Sequence, residues 1–169
     1  MNKICTLFTI LTFAVLSGCT RNLPLDNFAR LTELDNYWNE VSRCVKEGDF
    51  DGYKATCHKD GVLVSGKSNQ AYPLSKALEK WKQDFTDAKS GKTKTSVEFR
   101  FSKRLGDNTT AHETGMFRYK RVNADSTITV YYINLEALLI KRGTWKMMME
   151  YQKSEGTEKE WNKLKQSKP

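Results

Sequence analysis

The stretch from Thr109 to Tyr151 most constrains the fold, because it has the pattern of three consecutive long strands joined by two tight turns. The turn at Asn123–Ser126 separates two runs rich in β-branched and aromatic residues, and Asn and Asp tolerate the backbone that such turns need. Gly143 marks the second turn, after which apolar residues alternate with other residues. This stretch predicts a long antiparallel sheet.

The middle strand of this stretch, Thr127–Lys141, has two largely apolar faces, which is typical of a strand covered on both sides over part of its length. Asn134 and Glu136 interrupt one of these faces. A buried amide or carboxylate is costly unless it is paired. Two interpretations remain open: the sheet bends or is solvated at this point, or the two residues line a cavity.

The residues before this stretch predict a layer of helices and a first strand. Leu34, Trp38, Val41 and Val45 recur at helical spacing, and they predict a helix from Leu31 to Glu47 that Gly48 ends. The other predicted elements are a short helix at 49–57, a strand at 62–64, a helix at 73–85 and a strand at 96–104.

The first 18 residues have the pattern of an export signal. Lys3 precedes an apolar run, Ile4–Leu16, that is too short to span a membrane. The run ends in Leu16-Ser17-Gly18-Cys19, which closely resembles the lipobox of bacterial lipoproteins. The resemblance implies that Cys19 becomes the lipidated N-terminus, anchored by acyl chains such as palmitate. The alternative is an ordinary cleaved signal peptide with an incidental cysteine.

Thr20 follows the cysteine, where an Asp would favour inner-membrane retention in this family. The resemblance therefore implies a cell-envelope protein held by its lipid at the outer membrane and facing the periplasm. The predicted organisation is a signal peptide at 1–18, a tether at 19–30, one domain at 31–152 and a polar C-terminal tail at 153–169 whose pattern is compatible with a short helix.

The formal net charge of +8 raises the question of a nucleic-acid partner. The Lys and Arg residues are mixed with acidic residues, and no basic run alternates with aromatic residues. We therefore predict no nucleic-acid binding and interpret the charge as a solvated surface that can attract anionic lipid headgroups.

Cys44 and Cys57 remain after the signal peptide and the lipobox cysteine are set aside. They fall in two neighbouring helical segments of a chain that is predicted to enter an oxidising compartment. The sequence leaves two alternatives open, a Cys44–Cys57 disulfide or two buried free thiols.

Four segments carry a resemblance to a known fold: 48–53 between the first two helices, 58–64 at the entry to the first strand, 73–81 in the third helix and 143–147 at the last turn. Their order resembles the nuclear-transport-factor-2-like superfamily, and within it the SnoaL-like and ketosteroid-isomerase-like families. The resemblance covers residues 31–151. It implies an α+β fold in which a cone-shaped, curved, antiparallel or mixed sheet wraps around three N-terminal helices. It also implies an apolar pocket on the concave side and a homodimer formed through the sheet.

Enzymatic members of these families use a pocket carboxylate or histidine as a proton shuttle, with a donor for the developing enolate. The catalytic candidates here are Glu136 or His112 as the base and Tyr132 as the donor. The last strand has Met149 and Tyr151 where related sequences often have a histidine, which favours an adaptable apolar pocket over catalysis. The predicted pocket residues are Trp38, Tyr53, Tyr132, Asn134, Glu136, Met149 and Tyr151.

The resulting prediction is a membrane-anchored lipoprotein whose domain binds a small apolar ligand or a protein partner without catalysis. The alternative is a proton-transfer enzyme of isomerase or cyclase type that acts on a small apolar substrate. The sequence contains no phosphate-binding loop, nucleophile constellation or metal-ligand spacing, so we predict no cofactor and no metal.

Overall fold

The structure, a computed structural model, describes residues 23–164 and the side chains of residues 27–164. No helix in this part of the chain is long and apolar enough to span a membrane. The predicted signal peptide and Cys19 lie outside the described residues. The elements are α1 (Leu23–Glu47), α2 (Phe50–Thr56), β1 (Cys57–Ser65), β2 (Gln70–Pro73), α3 (Leu74–Lys89), β3 (Lys94–Gly106), β4 (Thr110–Val122), β5 (Ile128–Arg142), β6 (Thr144–Glu155) and α4 (Glu158–Lys163).

The six strands form one mixed sheet in the order β2-β1-β6-β5-β4-β3. β1 and β6 run parallel, and every other neighbouring pair is antiparallel. Helices α1, α2 and α3 cover one face, which we call the inner face, and the opposite face is the outer face. The predicted α+β architecture, a cone-shaped mixed sheet wrapped around three N-terminal helices, is confirmed.

Helix α1 begins at Leu23, earlier than the predicted start at Leu31, so residues 23–30 of the predicted tether are helical. Pro24 is accommodated because the N–H groups of the first turn have no partner within the helix. Arg30 is 6% exposed, and its Nη2 donates to Asn27 Oδ1 at 2.6 Å. The helix is therefore fixed to the domain from its early turns.

Strand β2 was not predicted from the sequence; it lies just before the predicted helix at 73–85 and includes the first residue of that prediction, Pro73. Among the strands that the structure describes, it pairs with β1 alone, where Leu63 lies opposite Tyr72 and Val62 opposite Pro73. A proline is tolerated there because an edge strand has a neighbour on one side only. The strand has only four residues and ends in a proline, so the sequence pattern did not reveal it.

Strand β6 contains two extra residues relative to β5, Met148 and, nearer its end, Lys153, which lies between the partners of Asn134 and Leu135. Leu138 pairs with Met149 and Leu139 pairs with Met147, so Met148 has no partner in the ladder. Successive side chains of a strand point to opposite faces, and a bulge of one residue therefore exchanges the faces of the residues that follow.

The first of these two bulges, at Met148, decides which side chains of β6 meet the helices. Met147 lies on the inner face, as simple alternation predicts. Beyond the bulge the inner face receives Glu150 and Gln152, while Met149 and Tyr151 turn to the outer face.

The C-terminal segment continues β6 to Glu155 and then forms α4, which begins with a capping box between Thr157 and Glu160. The side chain of Trp161 is 1% exposed because it packs on the outer face. Its ring centroid lies 4.4 Å from the Arg100 guanidinium and 6.2 Å from the Tyr132 ring. The packed structure therefore extends beyond the predicted domain boundary at residue 152.

We expect Trp161→Ala to lower the free energy of unfolding by about 3–5 kcal/mol, because it removes a fully buried indole. Urea denaturation measures the change. Lys159→Ala is the control, because Lys159 is an exposed residue of the same helix and should change stability by less than about 0.5 kcal/mol. Equal effects of the two substitutions would show that α4 is not docked.

Candidate functional site

A cavity of about 380 Å³ lies between the three N-terminal helices and the inner face of the sheet. Small-molecule sites typically have volumes of about 300–1,000 Å³ and mostly apolar walls. Aliphatic side chains such as Val97, Ile133 and Leu135 form part of the sheet wall. Nine aromatic side chains line the cavity: Tyr37, Trp38, Tyr53, Trp81, Phe85, Phe99, Phe117, Tyr119 and Tyr131.

The aromatic side chains contact one another across elements. The Tyr53 ring of α2 lies 5.0 Å from Phe85 and 6.1 Å from Trp81, both of α3, measured between centroids. The Trp38 ring of α1 lies 4.3 Å from Phe99 of β3. Helical spacing brings Trp38 to the inner side of α1, and the contacts form two groups of aromatic rings in the cavity wall, one around Trp38 and one around Tyr53.

A buried charge network fixes the orientation of Trp38. Its Nε1 donates to Glu113, whose side chain is fully buried. Glu113 also accepts from Arg104 Nε, and Arg104 Nη1 donates to Asp35 Oδ1 at 2.5 Å. Breaking a buried pair of this kind is strongly destabilising, so Glu113 acts as a positioning residue for the cavity wall.

Glu150 is the buried carboxyl group among those that line the cavity, and it is 8% exposed. Its Oε1 accepts from Gln152 Nε2 at 2.7 Å. Within the described residues, Oε2 accepts no hydrogen bond and no cation pairs with either oxygen. Burial raises the pKa of Glu150, and the bond from Gln152 opposes this shift.

The groups nearest to Glu150 are weak acids. Burial raises the pKa of Tyr37 and of Tyr53 well above the usual range, and the charge of Glu150 adds to both shifts. Burial also raises the pKa of Cys57 to about 12, again with a contribution from Glu150. At neutral pH all three side chains are uncharged. Among these four groups, Glu150 is therefore the one that can exchange a proton near neutral pH.

Two ion pairs flank the mouth of the cavity. Lys67 Nζ lies 2.6 Å from Glu155 Oε1, and Arg121 Nη1 lies 2.6 Å from Asp84 Oδ1. Side chains this exposed contribute little to stability through their pairing. The charges at the mouth are therefore largely compensated by one another.

Two of the predicted pocket residues, Trp38 and Tyr53, line the cavity. The prediction was wrong for five others, which lie on the outer face. On β5 the choice of face was wrong because both faces are apolar in the sequence, and on β6 the bulge exchanges the faces. The five residues on the outer face are Tyr132, Asn134, Glu136, Met149 and Tyr151.

The predicted catalytic group is a cluster on the outer face. His112 Nε2 lies 3.3 Å from Glu136 Oε2, and Lys153 Nζ donates to Glu136 Oε1 at 2.7 Å. The bond from Lys153 lowers the pKa of Glu136, which is the opposite of what a tuned base in a dry cavity needs. Tyr132 packs beneath Trp161, so the three candidates form no cavity site.

Cys44 and Cys57 are free thiols, so the disulfide alternative is wrong. Their local partners differ: the Cys44 thiol donates to Glu40 Oε1 at 3.4 Å, while the Cys57 thiol donates to the Tyr53 carbonyl at 3.6 Å.

Glu40, Cys44 and Asp49 place their side-chain ligand atoms within 4.8 Å of one another, a grouping that could in principle hold a metal ion. The guanidinium of Arg43 already binds this group, with Nη2 at 2.7 Å from Glu40 and 2.6 Å from Asp49. The arginine supplies the positive charge, and the cluster serves to join α1 to the start of α2.

Neither a model of a known protein family nor a curated protein sequence matches this chain. Solved structures do match its fold. A conserved protein of Planctomyces limnophilus has a TM-score of 0.63 and 9% identity, covering 73% of this chain and 94% of that protein. An NTF-2-like protein of Shewanella oneidensis has a TM-score of 0.55 and 16% identity, covering 71% and 95%. A ketosteroid-isomerase-like protein of Erwinia carotovora has a TM-score of 0.52 and 14% identity, covering 72% and 93%. The chain therefore has the nuclear-transport-factor-2-like fold that the sequence resemblance implied.

The raised pKa of Glu150 predicts the pH dependence of Glu150→Gln. The protonated carboxyl contributes a stability that is fully present below the unfolded pKa of 4.5 and is lost as pH rises through the raised folded pKa. The amide keeps the polar contact without ionising. We therefore expect the melting temperature of the variant, relative to wild type, to increase between about pH 4 and about pH 8.

Glu136→Gln is the matched control, because the lowered pKa of Glu136 gives the opposite sign. Its carboxylate contributes stability that is present above the unfolded pKa and lost as pH falls, so this variant should lose stability relative to wild type as pH rises. Parallel pH profiles for the two variants would contradict the assignment of Glu150.

Proposed function

We propose that this domain binds a small, largely apolar molecule in the cavity between the helices and the inner face. The observation that supports this is the combination of a cavity of about 380 Å³, nine aromatic lining residues and one buried carboxyl group among the lining residues. A site with apolar walls and a few convergent polar groups is the usual form of a small-ligand pocket. The paired charges at the mouth leave apolar contact as the main source of affinity.

We expect Ile133→Trp to weaken binding of the neutral fluorescent probe N-phenyl-1-naphthylamine by about tenfold or more, because the indole would occupy cavity volume. Fluorescence titration of the full-length protein measures the affinity. Val130→Trp introduces the same side chain at an exposed position of β5 outside the cavity lining, and it should bind like wild type. Unchanged binding by Ile133→Trp, or no binding by wild type, would exclude the cavity as the site.

The same domain is proposed to be anchored in the bacterial cell envelope through Cys19. The support for this is the lipobox-like Leu16-Ser17-Gly18-Cys19 at the end of a short apolar run. A domain held there would present its cavity to apolar molecules that enter the envelope or leave the membrane.

Expression in a diderm bacterium tests the anchor. We expect wild type in the membrane fraction with an acylated Cys19 peptide in mass spectra, and Cys19→Ala largely outside that fraction, because one short apolar run gives no stable anchor. Cys44→Ala is the control and should fractionate like wild type, since Cys44 is buried within the domain. Equal membrane retention of wild type and Cys19→Ala would refute lipid anchoring at this residue.

A second candidate function, proton transfer, is favoured by the environment of Glu150. A carboxyl with a raised pKa that shares an apolar cavity with the Tyr53 hydroxyl has the elements of a base and a donor. This candidate replaces Glu136 and His112 with Glu150 as the proton shuttle. Exchange of a ligand C–H for deuterium in D₂O, lost in Glu150→Gln with ligand binding retained, would identify an enzyme. Binding without any exchange in wild type would identify a binding protein.

A further inference from the structure

The cavity is lined by more acidic than basic side chains. Three carboxyl groups line it, those of Asp84, Glu150 and Glu155, against one amine, that of Lys67. Lys67 pairs with Glu155 at the mouth, and Asp84 pairs with Arg121 there. Within the described residues, this leaves Glu150 as the lining carboxyl without a cation.

A buried carboxyl group without a cation has two ways to lower its energy. It can remain protonated, or it can ionise beside a positive charge supplied by a ligand. Gln152 bonds to Oε1, while Oε2 accepts no bond from the described residues and remains available to a donor in the cavity. A charge-assisted hydrogen bond to this oxygen is stronger than a bond between neutral groups.

The aromatic walls favour the same class of ligand. The face of an aromatic ring carries negative electrostatic potential, which attracts a cation, and the attraction grows when the cation is removed from water. Tyr37 and Tyr53 line the cavity near enough to Glu150 for its charge to add to their raised pKa values, and both stay uncharged. Trp38 is held in place beside Tyr37, with ring centroids 5.1 Å apart.

We propose that the cavity selects hydrophobic organic ammonium ions, with the ammonium group donating to Glu150 and lying against the aromatic rings of Tyr37, Trp38 and Tyr53. This inference rests on the proposed ligand-binding function and adds the charge of the ligand. Anionic ligands such as fatty acids are disfavoured, because the lining amine is 79% exposed and already paired. A neutral ligand would instead accept a hydrogen bond from protonated Glu150.

A matched pair of ligands separates these cases: 2-(2-naphthyl)ethylamine, which is a cation at neutral pH, and the neutral 2-(2-naphthyl)ethanol. Isothermal titration calorimetry with the full-length protein measures both affinities. We expect the amine to bind about tenfold more tightly at about pH 8 because it gains the ion pair and the cation–π contacts. Glu150→Gln should remove this preference and keep the affinity for the alcohol. Glu136→Gln, on the outer face, should keep the preference.

The preference should also depend on pH. Binding of the ammonium displaces the proton of Glu150, so affinity for the amine should fall as pH decreases below the raised pKa of Glu150, while affinity for the alcohol should not fall. Tyr37, Tyr53 and Cys57 remain neutral over this range, because each has a raised pKa. Lys67, Asp84 and Glu155 lie at the mouth with partners of opposite charge.

The outcomes distinguish this inference from the function on which it rests. Equal affinities for the two ligands, or tighter binding of the alcohol, would overturn the ammonium preference and leave ligand binding in place. A preference that survives Glu150→Gln would also overturn it, because the carboxylates of the mouth would then hold the cation. Binding of neither ligand in the millimolar range or below would overturn ligand binding itself.

Discussion

The extra residue Met148 determines which side chains of β6 the cavity can use, because a strand has two faces and each insertion exchanges them. Before the bulge, Met147 faces the helices. After it, Glu150 and Gln152 do so. Without the bulge, Met149 would take the place of Glu150 opposite Ala137, and the cavity would lose its buried carboxyl group. The position of Glu150 in the site therefore depends on one unpaired residue, Met148, which precedes it in β6.

A cavity of this size persists only if its walls are held by contacts outside it, since unfilled space costs packing energy. At the sheet, Arg104 of β3 binds both Glu113 of β4 and Asp35 of α1, and it thereby fixes the part of α1 that contains Trp38 to the sheet. At the far end of α1, Gly48 has a φ of +67° and approaches the backbone of Lys89 so closely that a Cβ would lie 2.3 Å from its nitrogen. These two attachments hold α1 at fixed distances from the sheet and from α3.

Helical spacing and turn chemistry were sufficient to predict α1, α3 and the three long C-terminal strands, and the order of elements was sufficient for the fold. The choice of face on β5 was not predictable, because apolar residues occupy both faces of that strand. The bulge was equally hidden: it falls in the run Met147–Met149, which contains no Gly or Pro to mark it. Regular alternation along β6 places Glu150 on the outer face. To predict Glu150 in the cavity, one would have to assume a one-residue bulge before it.

Two carboxyl groups on neighbouring strands show how the two faces of the sheet differ. Glu136, on the outer face, pairs with Lys153, which lowers its pKa. Glu150, on the inner face, has a raised pKa and no cation within the described residues. The chain has 28 Lys and Arg residues against 20 acidic residues, so cations are abundant. Aromatic and aliphatic side chains occupy most of the positions in the cavity that Glu150 lines, so the part of the chain that the structure describes supplies no cation to its carboxylate. The positive partner of Glu150 is therefore either a proton or a cationic ligand. Because these two compete for the same carboxylate, the affinity for a cationic ligand depends on pH.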